Sequence, residues 1–249
     1  MKPWVKDWVS FHSVRQPDAP AVTCVERGVT VTWGELEQRV GRLAYLLRHR
    51  FGLQPGDRVM SITENDTRMF ELQFACMRAG LIWVPLSWRL SAGELVTLAK
   101  DAEPGIMIQD ENWREMGDAV ADAVGIANRI LWSDDLAASD YDRLIAEAGE
   151  TMPGGIHDED EITHILYTSG TTGLPKGALC SQGTLKHHAI NSAQTSRTSE
   201  RGNHHFNMVP LFHAGGLNTF SNPTLFWGGH VTTVRRFDPR VALQQLTDP

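Results

Sequence analysis

Hydrophobic residues recur at helical spacing in the segment that begins at Thr32. Thr32 and Glu35 are three positions apart, as in a capping box, in which two free amide groups at a helix start are satisfied reciprocally. The following apolar residues lie on one face of a helix: Leu36, Val40, Leu43 and Leu47. Gly52 and the turn-forming residues 55–57 come next. The pattern predicts a helix that closes at this turn.

Strands and helices then alternate along the chain. The next predicted elements are a strand at 58–63, an amphipathic helix at 66–79, a buried strand at 81–86 and a helix opened by a second capping box, Ser91 with Glu94. Later ones are strands at 106–108 and 129–132 around a helical stretch, a strand at 162–167, a helix near 185–193, a strand near 206–209, an apolar helix near 217–227, a strand at 231–234 and a helix opened by Asp238-Pro239. Parallel strands need such crossovers, so we expect an α/β fold with mainly parallel sheets flanked by helices. The Gly-rich, acidic passage near 150–161 is expected to be an exposed connection.

Composition narrows the possible partners. The 249 residues are 41% hydrophobic and carry a net charge of −7, which argues against nucleic acid as a partner because duplex binding needs clustered Lys and Arg. No apolar run reaches bilayer length, so no transmembrane segment is expected. The cysteines are odd in number and widely spaced, which suits a reducing cytoplasm.

The sequence TSGTTGLPKG at 168–177 concentrates the candidate chemistry. It follows a predicted strand and combines four hydroxyl groups, three glycines and a lysine. Glycines let backbone N–H groups approach an anion closely, hydroxyls donate to phosphate oxygens, and lysine adds a positive charge. The nucleoside-triphosphatase motif GxxxxGK[ST] is not matched, because Pro175 precedes Lys176 and Gly177 follows it. We therefore expect a phosphate-binding loop of a different kind.

The longer motif YTSGTTGLPKG at 167–177 resembles the signature of the adenylate-forming superfamily, which includes acyl-CoA synthetases, luciferases and peptide-synthetase adenylation domains. Flanking blocks extend the resemblance over nearly the whole chain and favour AMP-forming acyl-CoA synthetases: PDAPAV at 17–22, TWGELEQRVGRLA at 32–44, PGDRV at 55–59, VPLSWRLSAGEL at 84–95 and PLFHAGGL at 210–217. Two departures are Cys180-Ser181-Gln182, where a Thr-His or Ser-His pair is common, and residues 202–205, which replace an acidic turn.

The resemblance implies roles for individual residues. Thr168 would help to hold Mg²⁺, and Lys176 would stabilise the departing pyrophosphate. The β- and γ-phosphates of ATP would be bound by the loop, which comprises Thr168, Ser169, Gly170, Thr171, Thr172, Gly173 and Lys176. His213 would lie where the nucleotide and acyl pockets meet, with Gly215 and Gly216 leaving room for substrate. Lys176 and His213 are thus the expected catalytic residues.

The implied reaction activates a carboxylic acid, with fatty acids as the first expectation, using ATP, Mg²⁺ and CoA as cosubstrate. Residues 1–249 are expected to form an incomplete N-terminal AMP-binding domain, because the adenine-binding block, the ribose-binding aspartate and the C-terminal domain of the family are not in this sequence. The chain alone is then expected to be inactive. A non-catalytic nucleotide-binding or interaction module and an adenylation enzyme with another acceptor are the alternatives, and assembly into a homo-oligomer is left open.

Overall fold

The computed structural model describes residues 4–168 and 175–247. The strands are β1 Trp4–Lys6, β2 Pro20–Cys24, β3 Val29–Thr32, β4 Arg58–Ile62, β5 Ile82–Leu86, β6 Pro104–Asp110, β7 Asn128–Trp132, β8 Ile156–Asp158, β9 Ile162–Thr168, β10 Lys176–Ser181, β11 His204–Asn207 and β12 His230–Thr233. The α-helices are α1 Trp8–Arg15, α2 Trp33–Tyr45, α3 Thr67–Ala79, α4 Ala92–Ala102, α5 Arg114–Val124, α6 Asp140–Glu147, α7 Gln182–Thr195, α8 Ala214–Gly216, α9 Asn222–Phe226 and α10 Pro239–Thr247.

The strands form two larger sheets and one short pair. The first sheet has the order β10-β9-β5-β4-β6-β7 and is parallel except for β10. The second has the order β11-β12-β2-β3 and is parallel except for β3. The predicted α/β fold with mainly parallel sheets and flanking helices is confirmed. The connection expected near 150–161 contains β8, which pairs antiparallel with β1.

Alternation along the central strands divides the core between the two faces of the first sheet. Val59 and Trp83 belong to the cluster that includes residues of α2 and α3, whereas the next residues, Met60 and Val84, pack with α4 and α5. Side chains of a strand point to opposite faces in turn, so each central strand contributes to both clusters. The central strands are therefore buried on both faces, as their continuous apolar sequences predict.

The helix starts follow the local sequence. Both predicted capping boxes are present, and α3 begins at the N-cap Asp66 and ends at Gly80, whose φ of 68° is left-handed. The prediction that α3 is amphipathic was wrong, because every one of its residues is buried. Its polar side chains are paired inside the protein, as when Arg78 donates to Asp7 at 2.8 Å.

The segment after β11 departs from a single helix. The apolar helix expected near 217–227 is built from α8, a π-helical turn at Leu217–Ser221 and α9. At the C-terminal end, Asp238 accepts a hydrogen bond from the Arg240 amide at 2.7 Å, as expected of an N-cap. None of the helices in the two described ranges combines the length and apolar character needed to cross a bilayer.

Candidate active site

Two paired strands, β9 and β10, form a β-hairpin whose described ends at the carboxyl edge of the first sheet are Thr168 and Lys176. Strand β9 runs parallel to β5 and ends at Thr168, and β10 returns antiparallel from Lys176. Thr168 and Lys176 are directly paired across the two strands. In open α/β sheets, ligands bind beyond the carboxyl ends of the strands, so Thr168 and Lys176 lie where a ligand is expected. The site residues Ser169, Gly170, Thr171, Thr172 and Gly173 lie outside the described residues and remain predictions.

Thr168, the last residue of β9, and Lys176, the first residue of β10, are both exposed. The Thr168 hydroxyl is 3.5 Å from the Lys176 carbonyl oxygen, the weak limit of a hydrogen bond. Within 4–168 and 175–247, no carboxylate forms an ion pair with the Lys176 ammonium. Both side chains are thus free of strong contacts with the described residues and available to an anion.

Tyr167 and Gly177 form the next pair of the hairpin, beside Thr168 and Lys176. The Tyr167 hydroxyl donates to Asp101 of α4 at 2.6 Å, and burial followed by this hydrogen bond raises the pKa of the phenol. Opposite it, a Cβ on Gly177 would lie 2.7 Å from the Ile165 side chain, closer than non-bonded carbons approach. A side chain at 177 would therefore force the Ile165 side chain or the paired strands to shift.

A chain of buried polar groups lies under the hairpin, and sequence reasoning missed it. His164 is fully buried, and Asn218 Nδ2 donates to its Nε2 at 3.1 Å. Asn222 donates to Asn218 at 2.8 Å, and Gln73 of α3 donates to Asn222 at 2.9 Å. The available signal was a histidine inside a mainly apolar strand, but Asn218, which donates to its Nε2, is more than fifty residues away.

The direction of these bonds defines the state of His164. The Thr163 hydroxyl donates its one proton to the Cys180 carbonyl oxygen at 2.9 Å, so it accepts from His164 Nδ1 at 2.9 Å. Nδ1 then carries the ring proton, and Nε2 is the acceptor for Asn218. Burial lowers the pKa of His164 to about 4, which agrees with a neutral ring.

His213 lies after β11, at the start of α8. Its exposed side chain caps this helix, because Nδ1 accepts from the Gly215 amide at 3.1 Å. A Cβ on Gly215 would meet nothing closer than His213 Nδ1, at 3.3 Å. A Cβ on Gly216 would lie 2.3 Å from the Pro210 carbonyl oxygen, so close backbone packing requires glycine there. That these glycines leave room for substrate remains a prediction.

A family model described as "AMP-binding enzyme" matches residues 10–248. The chain belongs to this family. Feruloyl-CoA synthase of an Amycolatopsis species is 35% identical over 230 residues, which cover 92% of this chain and 44% of the relative. Indoleacetate–CoA ligase of Aromatoleum aromaticum is 30% identical over 236 residues, which cover 94% and 46% of the two chains.

Solved structures of the family show the same fold. ATP-bound MatB from Rhodopseudomonas palustris superposes with a TM-score of 0.84 at 30% identity, covering 98% of this chain and 48% of MatB. The chain thus spans less than half the length of these relatives. Across that span, it has the α/β architecture found in the N-terminal half of adenylate-forming enzymes.

Several histidines and Cys180 lie near this family site, and their contacts explain them structurally. His187 reaches Glu159 at 3.4 Å and His188 reaches the Thr219 carbonyl oxygen at 3.4 Å, so these neighbours point to different partners. Across the described part of the chain, no three His, Cys, Asp or Glu side chains converge as metal ligands. Cys180 is half-buried, and burial raises the pKa of its thiol, as expected of a packed residue rather than a nucleophile.

Proposed function

We propose that this chain supplies the phosphate-binding half of an enzyme that activates a carboxylic acid with ATP and transfers the acyl group to CoA. The observation that carries the proposal is the hairpin, which pairs Thr168 with Lys176 at the carboxyl edge of a parallel sheet. Family membership and the ATP-bound relative support it. The acid attacks the α-phosphate to give an acyl-adenylate and pyrophosphate, and the CoA thiolate then displaces AMP.

The exposed groups of the hairpin fit the first half-reaction. The Lys176 ammonium offsets negative charge that develops on the leaving pyrophosphate, where a donor held in place before reaction contributes most. His213 and Gly215 would border the reacting acid, on the segment that follows β11.

Magnesium fits the hairpin as a partner of the nucleotide. Mg²⁺ keeps several waters and substrate oxygens and takes only one or two protein ligands. The single Thr168 hydroxyl, exposed and weakly hydrogen-bonded, suits such a site. When bound with ATP, the ion would neutralise phosphate charge, and Thr168 would orient it from the end of β9.

The acid is the least constrained part of the proposal. The names of two relatives specify feruloyl and indoleacetate groups, which are aromatic. Aromatic acids therefore belong beside fatty acids in the first substrate panel. Pyrophosphate release measured across that panel would identify the acid class, and release of ADP and phosphate instead would contradict adenylation.

The roles of Lys176 and Thr168 are tested by separating the two half-reactions. Lys176→Ala and Thr168→Val should slow adenylate formation by about 10²- to 10³-fold. This is the usual effect of removing one group that is positioned to stabilise charge in the transition state. Thioester formation from a supplied acyl-adenylate should change little, because pyrophosphate and its metal have left by then. Leu179→Thr, an exposed change on β10, is the matched control. Equal losses in both steps with unchanged melting would contradict these assignments.

We also propose that activity requires the part of the relatives that this chain does not cover. Purified residues 1–249 should then form no detectable acyl-CoA and bind nucleotide weakly at best. Turnover by this segment, free of contaminating synthetase, would contradict the proposal. The second candidate function is a non-catalytic nucleotide-binding module. It is favoured if this chain, joined to the C-terminal part that its relatives possess, binds ATP but releases no pyrophosphate with any acid.

A further inference from the structure

The loop that carries His213 is tied to the first sheet by one buried amide. Asn65 follows the carboxyl end of β4, the central strand of that sheet, and is only 4% exposed. Its Nδ2 donates to the carbonyl oxygens of Val209 and Val234, both at 3.0 Å. Its Oδ1 accepts from the Leu211 amide at 2.8 Å. Every strong hydrogen-bonding group of this side chain is directed at backbone that follows β11 or β12.

We propose that Asn65 is a positioning residue for the acid-activation step, acting through the segment Val209–His213. The proposal rests on the function proposed above. Asn65 is distant in sequence from this segment and belongs to the sheet that presents Thr168 and Lys176. It thereby fixes where His213 lies relative to the phosphate-binding hairpin.

The amide is suited to this task because its orientation is determined. Two carbonyl oxygens face its nitrogen and one N–H faces its oxygen, so turning the amide over would break all three bonds. Leu211 is fully buried, and the His213 amide donates to the Pro210 carbonyl oxygen at 3.2 Å. The position of Asn65 is thus transmitted to His213 through a single tight turn.

A second asparagine makes the role of Asn65 distinct. Asn207 also binds Val209, donating to its carbonyl oxygen at 2.8 Å and accepting from its amide at 3.3 Å. Asn207 belongs to β11 itself, so it shapes the segment locally but does not relate it to the first sheet. Asn65 supplies that relation, and a misplacement of about 1 Å at a reacting centre costs roughly 10² in rate.

The neighbouring residue offers a matched control. Glu64 is also buried and pairs with Arg236, accepting from its Nε at 2.8 Å. It ties the first sheet to the segment after β12, and among the described residues its hydrogen bonds go to Arg236 and not to residues 209–213. Glu64→Gln keeps a hydrogen-bond acceptor for Arg236 and should change adenylation by no more than about twofold.

The test is a double-mutant cycle in this chain joined to the C-terminal part that its relatives possess. The measurement is pyrophosphate release at varied acid concentration. Asn65→Asp keeps the shape but turns an oxygen toward two carbonyl oxygens, and kcat/KM should fall about 10²-fold. His213→Ala should also lower it, and the double variant should be no slower than the slower single variant. The proposal would be overturned if the losses of kcat/KM in the two single variants multiplied in the double variant. It would also be overturned if kcat/KM of Asn65→Asp stayed within twofold of that of the unsubstituted protein.

A measurement on the unsubstituted protein covers the case in which Asn65→Asp does not fold. Hydrogen exchange of the Leu211 amide should be slower than that of the exposed Ala214 amide, because Leu211 donates to Asn65. Exchange at the rate of an unstructured amide would overturn the proposal. A protein that releases no pyrophosphate with any acid would contradict the proposed function, and the exchange rate would still decide whether Asn65 holds this segment.

Discussion

His164 should make the stability of this protein depend steeply on pH below neutrality. Its pKa is about 4 in the folded protein, because burial disfavours the charged ring, against an ordinary value of 6.5. Protonation would also place an N–H at Nε2 against the donating Asn218 amide. Between these pH values, the unfolded chain binds a proton that the folded chain does not. The free energy of unfolding therefore falls as pH falls from 6.5 toward 4.

The size of the effect follows from the shift. Each pH unit between the two pKa values changes the free energy of unfolding by about 1.4 kcal/mol, so His164 should account for roughly 3 kcal/mol between pH 7.5 and pH 4.5. His12, His204, His205 and His230 also have lowered pKa values and act in the same direction. Comparison with a His164 variant isolates the contribution of this one ring.

The assay is urea unfolding of the unsubstituted protein and His164→Gln at several pH values from 7.5 to 4.5. The variant should be less stable at pH 7.5, because a buried hydrogen-bond chain is interrupted, but its stability should fall less at low pH. The difference in free energy of unfolding between the unsubstituted protein and His164→Gln should shrink by roughly 3 kcal/mol from pH 7.5 to pH 4.5. His49→Gln, which removes an exposed ring, should retain the steep dependence. Parallel curves for the unsubstituted protein and His164→Gln would refute the reasoning.

Two further sets of substitutions test how backbone packing and buried ion pairs contribute to the free energy of unfolding. Gly216→Ala should destabilise the protein by about 1–3 kcal/mol in urea unfolding, because its Cβ would meet backbone at 2.3 Å, whereas Gly215→Ala should stay within about 0.5 kcal/mol. Similar costs for the two would contradict the packing argument. Asp66→Ala should cost about 3–5 kcal/mol in the same assay, because it leaves the buried Arg68, 3.0 Å away, and the partly buried Arg27, 2.9 Å away, without this partner. A loss below about 1 kcal/mol would show that the remaining carboxylates replace Asp66.

Local signals predicted the helix starts well. Thr32 with Glu35 and Ser91 with Glu94 each form a capping box within four residues, so their geometry depends little on the rest of the fold. The strand that leads into the signature loop was equally readable, because an apolar run precedes a Gly-rich turn. The family motifs also predicted Thr168, Lys176 and His213 as site residues, and these roles stay predictions.

Long-range pairing was not readable in the same way. Strand β10 is exposed and carries few β-branched residues, and it exists because β9 offers it an edge. The amphipathic pattern of α3 hid the fact that its polar face is buried against paired charges. Asn65 had no local signal of its role, and the histidine within β9 gave no indication of its partner Asn218, because Leu211 and Asn218 come close to these side chains only in the folded chain.

Uncharged amide side chains connect the segment of the candidate site that carries His213 to the first sheet, which includes the hairpin of β9 and β10. Asn65 holds the segment before His213, and Asn218 with Asn222 connects the segment after it to His164 under the hairpin. Apolar packing resists compression but does not distinguish one register from another, whereas a buried amide binds well in only one orientation. A neutral hydrogen bond contributes only about 1 kcal/mol of net stability. Variants that replace these amides by groups of similar shape should therefore lose adenylation rate by a larger factor than their stability suggests.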